Sequence, residues 1–370
     1  MFLATTPDFD RLATLLWTDP ILARIREAAG DRPVHLVGGA IRDGLLGRPI
    51  DDFDLVVEGD PAPLARALDP EAVVNERFGT AYLRLDGIPV DIATARTETY
   101  ARPGALPDVT PSGFAEDLKR RDFTINAMAI GLEKDAELID PHGGLEDLAS
   151  GVIRVLHDRS FEDDPTRAFR AARYAARFGF DLEPKTADLL MATNTSTVSR
   201  DRIEAELRLI AAEERAIEAL RLAGVWGLIR FDPDRLRIAA AVIELLEDGW
   251  DDLDRTDAIL AAVFGGLGFV EDLRPEPSDA WEGYRRARGH DPLELLIARA
   301  DGVEWLDEWQ REWRDLELEI TGTDLLAAGM PEGPEIGVAL DAAREARLKG
   351  RARGAREELE AALAAVKESK

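Results

Sequence analysis

The chain has 370 residues, with 73 acidic and 46 basic side chains and a formal charge of −27. That length allows two to four domains, and the charge excludes a general nucleic-acid or anionic-membrane adsorbent, though not a local basic strip. Zero cysteines exclude disulfides, thiolate metal sites and cysteine nucleophiles, and four histidines leave little for a histidine-rich metal centre.

Residues 8–29 read as two short helices. The segment 34–39, VHLVGG, reads as a short strand ending on two glycines. AIRDGLLG (40–47) is a helix closed by Gly47. DFDLVVEG (52–59) alternates acid and apolar positions as a strand does. Residues 81–95 read as a hairpin turning at Asp86-Gly87. Residues 97–114, rich in Thr, Pro and Gly, read as a long loop. From about 140 onward the pattern is helix after helix, with no further strand expected. Asp232, Pro233 and the segment 274–279 punctuate the helices. Trp305, Trp309 and Trp313 share one helical face, a packing face in preference to a base-stacking platform. The tail, 340–370, reads as a helix pair broken at Gly350 and Gly354. No apolar run is long enough to span a bilayer. The first residues lack the charged n-region and cleavage site of a signal peptide, so a cytoplasmic location is expected.

The chemistry gathers in the first third. Asp52 and Asp54, two apart on a strand, share a face. Two adjacent acids repel, and a divalent cation resolves that conflict; Mg²⁺ suits carboxylates together with substrate phosphates. Asp51 should point away. Gly38-Gly39, at a strand-to-helix junction, is expected to offer backbone amides to a phosphate. Asp91, between apolar neighbours in a strand, needs a partner, which a shared metal cluster would supply. Asp164-Pro165 reads as a helix start, and Arg167, Arg170, Arg173 and Arg177 then form a stripe, read from spacing alone as a solvated basic face. Arg202 and Glu206 are spaced as an i,i+4 ion pair.

Taken together, Gly38, Gly39, Arg42, Asp43, Leu45, Leu46, Gly47, Arg48, Asp52 and Asp54 within LVGGAIRDGLLGRPIDDFDLVVEG (36–59) resemble the signature of class II tRNA nucleotidyltransferases and bacterial poly(A) polymerases, of the polymerase-β-like superfamily. DLKRRDFTINAMAI (117–130) resembles the family's ribose-reading motif, which places Arg121, Asp122 and Asn126 in that role. DPHGGLEDLASGVIR (140–154) resembles its hinge, with Asp147 and Arg154 as polar members. VSRDRIEAEL (198–207) resembles a structural helix motif. The segment 161–180 resembles the motif whose Asp and Arg, here Asp164 and Arg167, pair with the incoming base in place of a nucleic-acid template. Arg170 would join the nucleotide contacts, and the remaining arginines would meet triphosphate or tRNA backbone.

The resemblance implies an α+β fold: a nucleotidyltransferase head with a small mixed sheet (1–140), then an all-α neck for base recognition (141–215), body (216–319) and tRNA-binding tail (320–370). It implies Asp52, Asp54 and Asp91 as catalytic acids, Mg²⁺ on Asp52 and Asp54, and transfer of C and/or A from CTP and ATP to a tRNA 3′ end with release of pyrophosphate. Addition of CC only, of A only, or of a poly(A) tail fits the same residues. No membrane and no protein partner are expected. Two other classes are disfavoured. A non-catalytic RNA-binding protein would have lost part of the acid set or Arg121. Transfer to a small molecule or protein would not need the template-like pair and the tail. His157-Asp158 and His290-Asp291 lack the further ligands of a metal-dependent phosphohydrolase. The acid load is uneven: 271–320 carries 15 acids against 7 bases, whereas 171–230 carries 9 against 9 and 321–370 carries 9 against 8. A basic groove for tRNA is compatible with the nearly neutral segments.

Overall fold

Aspartates start both N-terminal helices, α1 (Phe9–Thr18) and α2 (Pro20–Ala29). Asp8 accepts from the Arg11 amide at 2.9 Å, and Asp19 from those of Ile21 and Leu22 at 2.8 and 3.0 Å. Pro20 in the first turn of α2 loses no helix bond. The computed structural model describes residues 7–133, 136–250 and 252–368. The chain divides into two units, Met1–Arg230 and Phe231–Lys370.

The first unit continues with β1 (Val34–Val37), α3 (Gly39–Leu45), β2 (Phe53–Val57), α4 (Ala62–Leu68), β3 (Val73–Asn75), β4 (Thr80–Leu85) and β5 (Ile88–Thr94). Asp86 and Gly87 both take positive φ, 51° and 85°, as a two-residue hairpin with the right twist requires. The segment expected to be a loop is not one. It holds β6 (Arg96–Thr99) and β7 (Asp108–Pro111), paired from Arg96↔Pro111 to Thr99↔Asp108 as a separate two-stranded ribbon. Its strands, RTET and DVTP, are almost wholly polar and no residue in them is fully buried, so no apolar alternation marks them. Then come α5 (Phe114–Lys119), a 3₁₀ turn over Thr124–Asn126, β8 (Ala129–Gly131) and β9 (Leu138–Ile139).

The main sheet is mixed, in the order β3-β4-β5-β2-β1-β8-β9, with β2 and β5 parallel and the other pairs antiparallel. Val37, Val56, Ala95, Leu118 and Ala129 form a buried cluster against it.

After the sheet follow α6 (Gly144–Ser150), β10 (Val152–Ile153), α7 (Ser160–Asp163), α8 (Thr166–Phe178), β11 (Asp181–Leu182), α9 (Pro184–Met191), α10 (Arg200–Ala211) and α11 (Ala216–Val225). The expectation of helices alone beyond 140 is corrected by β10 and β11, a two-residue parallel pair too short to leave a periodic signal. Phe123 lies edge-on to Tyr174 of α8 at 5.9 Å, which pins the 3₁₀ turn to that helix.

The second unit is helical: α12 (Arg235–Glu247), α13 (Arg255–Phe264), α14 (Gly268–Leu273), α15 (Ala280–Ala287), α16 (Pro292–Ala300), α17 (Leu306–Glu308), α18 (Gly322–Ala327), α19 (Glu335–Leu348) and α20 (Ala355–Glu368). A π turn over Trp309–Trp313 follows α17. All three tryptophans are buried, and Trp305 Nε1 donates to the Leu273 carbonyl at 2.8 Å. They are packing residues. Gly350 and Gly354, at φ 66° and 91°, separate α19 from α20. Beside them the fully buried Glu358 accepts from the amides of Glu319 and Ile320 at 2.7 and 3.3 Å and pairs with Arg347 at 2.9 Å. Among the described residues no helix is long and apolar enough to cross a membrane.

Candidate active site

A cavity of about 860 Å³ opens in the first unit between the sheet, the ribbon and helices α8 and α10. Its lining holds nine arginines and nine carboxylates, so its formal charge is balanced.

The carboxylates come from β2 and its approach. Asp54 lies within β2; Asp52 immediately precedes the strand. Both line the cavity, and Asp51 lines it too, against the expectation that it points away. The strand begins only at Phe53, so strict alternation does not govern Asp51. Burial, then Asp52 and Asp91, push the Asp54 carboxyl from 3.8 up to about 6, against the pull of Arg121 and Arg170. Burial and the neighbouring Asp43 and Asp51 push Asp52 up as well. Asp91 stands opposite Asp54 on the parallel neighbour β5. It is exposed, on a central strand, and outside the cavity lining, so it is neither fully buried nor on an edge; partial loss of hydration and the nearby Asp52 raise its pKa. Among the described residues no three carboxylate or histidine side chains form a ready-made metal cluster. Two carboxylates that resist ionising together still fit a divalent cation that takes its other ligands from substrate phosphates and water.

The glycine turn works by close approach. Gly38 has φ 69°, and a Cβ there would meet Arg121 Nη1 at 3.0 Å and Asp54 Oδ2 at 3.7 Å. Its amide is not free for phosphate, because it donates to the Met128 carbonyl at 3.2 Å. That corrects the expected amide cradle at this residue. Gly39 also lines the cavity. Arg42, nearly inaccessible, donates to Asn126 Oδ1 at 2.5 Å and to Asp43, and its guanidinium lies over the rings of Tyr174 and Phe178.

Asp122 and Asn126 are also buried. Asn126 Nδ2 donates to Asp122 Oδ1 at 3.1 Å, and Arg170 Nη2 meets Asp122 Oδ2 at 2.8 Å. Burial opposes ionisation of Asp122, but Arg170 and hydrogen bonds from Asn126 and Phe123 hold its carboxyl below the usual range.

Asp164 and Arg167 enter at the start of α8. Asp164 Oδ1 accepts from the amide and hydroxyl of Thr166 at 3.1 and 2.8 Å, and from Arg202 Nη2 at 2.8 Å. Arg167 is 4% exposed and donates to Ser160 Oγ at 2.7 Å and to the Arg120 carbonyl at 2.6 Å. A carboxylate and a guanidinium three residues apart, both lining one cavity, can address a donor–acceptor edge such as that of a nucleobase.

A model of the poly A polymerase head domain matches residues 34–154. An A-adding tRNA nucleotidyltransferase of Halalkalibacterium halodurans is 34% identical over 347 residues, covering 81% of this chain and 81% of that one. A CC-adding tRNA nucleotidyltransferase of Deinococcus radiodurans is 36% identical over 349 residues, covering 90% and 89%. The chain belongs to the tRNA nucleotidyltransferase family. An A-adding member from Aquifex aeolicus is 48% identical over 198 residues, but this chain spans only 24% of its length. The Thermotoga maritima CCA-adding enzyme complexed with tRNA superimposes with a TM-score of 0.76 at 27% identity, covering 96% of this chain and 98% of that one. A CCA-adding enzyme complexed with ATP superimposes with a TM-score of 0.79 at 28% identity, covering 97% and 99%.

Several residues of this chain lie differently from their sequence expectations. Arg202 does not pair with Glu206. It spans outward, with Nη1 on the Gly104 carbonyl at 3.0 Å and Nη2 on Asp164. Burial pushes the Glu206 carboxyl up. The arginine stripe of α8 is not a solvated face: all four members line the cavity, and Arg167 and Arg170 are held by the groups named above. Asp147 and Arg154 meet, with Arg154 Nε 3.0 Å from Asp147 Oδ2, which also accepts from Thr124 Oγ1 at 2.6 Å.

The ribbon supplies residues that sequence reasoning missed. Glu98 Oε1 accepts from Arg120 Nη1 at 2.8 Å and from Arg96, while its Oε2 accepts from the Tyr100 hydroxyl at 2.9 Å. The fully buried Asp117 accepts from the Arg96 amide, Arg120 and Arg121. Arg120 thus ties the ribbon to the carbonyl that holds Arg167. The only sequence signal was the density of charge in RTETY and DLKRRD.

Proposed function

We propose that this chain extends the 3′ end of tRNA with C and/or A drawn from CTP and ATP, in a Mg²⁺-dependent reaction that releases pyrophosphate. The observation that carries the reading is the opening of Asp52 and Asp54 into the same cavity as Asp164 and Arg167. A metal-type acid pair and a base-reading pair then act on one nucleotide.

Asp164 would accept from the exocyclic amine of cytosine or adenine, and Arg167 would donate to the adjacent ring nitrogen or carbonyl. Uracil and guanine present a carbonyl where that amine stands, and an unpaired buried contact costs about 1–3 kcal/mol. Asp122 and Asn126 take the ribose, with Arg121 above the glycine turn. Arg42, Arg170 and the glycine pair Gly38-Gly39 lie along the phosphates. Asp52 and Asp54 would hold Mg²⁺, which activates the attacking 3′-hydroxyl and stabilises the charge on the leaving pyrophosphate. Asp91, behind Asp54, adds negative potential to that pair. The bond from the RNA oxygen to the α-phosphorus forms as the bond to pyrophosphate breaks, and the hydroxyl proton leaves to solvent; no protein atom becomes covalently linked. Residues 1–140 serve as catalytic head, 141–215 as base-reading neck, 216–319 as body and 320–370 as tRNA-binding tail, in a cytoplasmic protein.

Relatives of comparable length include both A-adding and CC-adding members, and Asp164 with Arg167 accepts either base. Primer extension divides the cases. Transcripts ending before CCA, after C and after CC are offered CTP, ATP or both with Mg²⁺. Full CCA on the shortest transcript assigns the whole end to this chain. Arrest after CC, or growth only from the CC end, assigns a partial activity, and a long A tract a poly(A) polymerase. No incorporation on any transcript refutes the proposal.

A further inference from the structure

Helix α8 presents a guanidinium at each turn; Arg167, Arg170 and Arg177 each meet a specific acceptor, and Arg173, whose buried Nε makes no hydrogen bond, lies within ion-pair distance of the one Arg177 uses. Arg173 and Arg177 share theirs. Arg177 forks onto Glu213, with Nε 2.7 Å from Oε2 and Nη2 on Oε1, and Arg173 Nε lies 3.4 Å from Oε1. Glu213 is 8% exposed and stands just past the C-terminus of α10. An anion is disfavoured there by the helix dipole, and α10 gains no cap from it. The two arginines account for an acid at that position. All three side chains belong to the cavity lining, as does the adjacent Glu214, so the two guanidinium groups bring fixed positive charge to a wall that is balanced overall.

The position along α8 indicates what that charge meets. Arg167 marks the base end. Ten residues later, at about 1.5 Å per residue, Arg177 lies about 15 Å along the axis, which matches a nucleoside triphosphate laid out from base to terminal phosphate. Arginine held in a fixed fork is suited to phosphate oxygens.

We infer that Glu213 is a positioning residue that aims Arg173 and Arg177 as a clamp on phosphate groups, those of the bound nucleotide's β,γ tail. An RNA-backbone phosphate has the same chemistry, and the test separates the two. The inference rests on the nucleotidyl-transfer reading above, but pyrophosphate binding tests it without turnover.

The variants are Glu213→Ala, Glu213→Asp and Arg177→Ala, the last at a side chain about one-third exposed. Calorimetry of pyrophosphate binding and steady-state kinetics in nucleotide and in tRNA are measured for each. The expected result for Glu213→Ala is weaker pyrophosphate binding and a higher nucleotide KM, each by about tenfold, the loss of one charge-assisted contact. The change in kcat should be much smaller, and Glu213→Asp should recover most of the loss. Arg177→Ala should show the same pattern, and adding Glu213→Ala to it should cost little more. A raised tRNA KM with pyrophosphate binding and nucleotide KM unchanged supports a clamp whose phosphate is the RNA's. Unchanged values for pyrophosphate, nucleotide and tRNA overturn the inference, as does a loss of kcat and melting temperature alone. Sensitive pyrophosphate binding in a protein that transfers nothing leaves the clamp standing and refutes the function.

Discussion

Asp54→Asn should make the protein more stable when no divalent cation is present. The side chain sits between Asp52 and Asp91 with most of its water removed, and its carboxyl is raised from 3.8 to about 6. That gap corresponds to about 3 kcal/mol against the ionised form in the folded state. Below pH 3.8 folded and unfolded chains are both protonated at this group and nothing is lost. Between 3.8 and about 6 the folded chain holds the proton more tightly, so stability falls as pH rises, and above about 6 the whole cost is present. Asparagine keeps the shape without the charge. In EDTA at neutral pH the variant should therefore exceed the wild type by about 3 kcal/mol, or about 6–12 °C for a unit of this size. Near pH 4 the two should converge. Adding Mg²⁺ should stabilise the wild type and leave the variant almost unmoved. Thermal unfolding followed by circular dichroism across that pH range measures all of this. A variant no more stable than wild type in EDTA at neutral pH would refute the electrostatic reasoning.

Asp52→Ala and Asp54→Ala should abolish nucleotide transfer in the primer-extension assay while tRNA affinity, read by filter binding, stays close to wild type. Arg202→Ala removes a 2.8 Å contact from Asp164 and the tie to Gly104; discrimination of CTP against UTP should fall by about tenfold in kcat/KM, the loss of one charged hydrogen bond. Glu358→Ala strips two amides of their acceptor and leaves Arg347 without its buried partner. Urea denaturation should show a loss of about 3–5 kcal/mol in the second unit. Affinity for tRNA should fall steeply with salt if backbone phosphates dominate, and a flat response would exclude that.

Where chemistry and local pattern coincide, the sequence groups residues that the structure also brings together. Gly38, Asp52, Asp54, Asp122, Asn126, Asp164 and Arg167 were all expected near one site, and all line the cavity. The hairpin at Asp86-Gly87 was legible because its turn demands positive φ. Several failures trace to contact across sequence distance. Arg202 looked like a partner for Glu206 one turn away, but Asp164, 38 positions earlier, and Gly104, 98 positions earlier, satisfy it better. Glu98 and Arg120 carried no pattern because their partners lie on other elements. The ribbon was unreadable because its strands are four residues long and almost wholly polar, with the Glu98 side chain enclosed by arginines rather than apolar groups, so no apolar alternation records it. Gly38 was assigned the wrong service. Its amide is used inside the fold, and its missing Cβ is what the site requires.

The balance of nine arginines against nine carboxylates bears on how substrates arrive. A neutral cavity exerts little pull beyond the Debye length of about 10 Å at moderate salt. Farther out, an incoming nucleotide meets the field of a chain with a formal charge of −27, which repels it. Added salt should thus speed nucleotide encounter, by screening that field, even while it weakens the grip of the arginines at short range. Capture and retention would then respond to ionic strength with opposite signs.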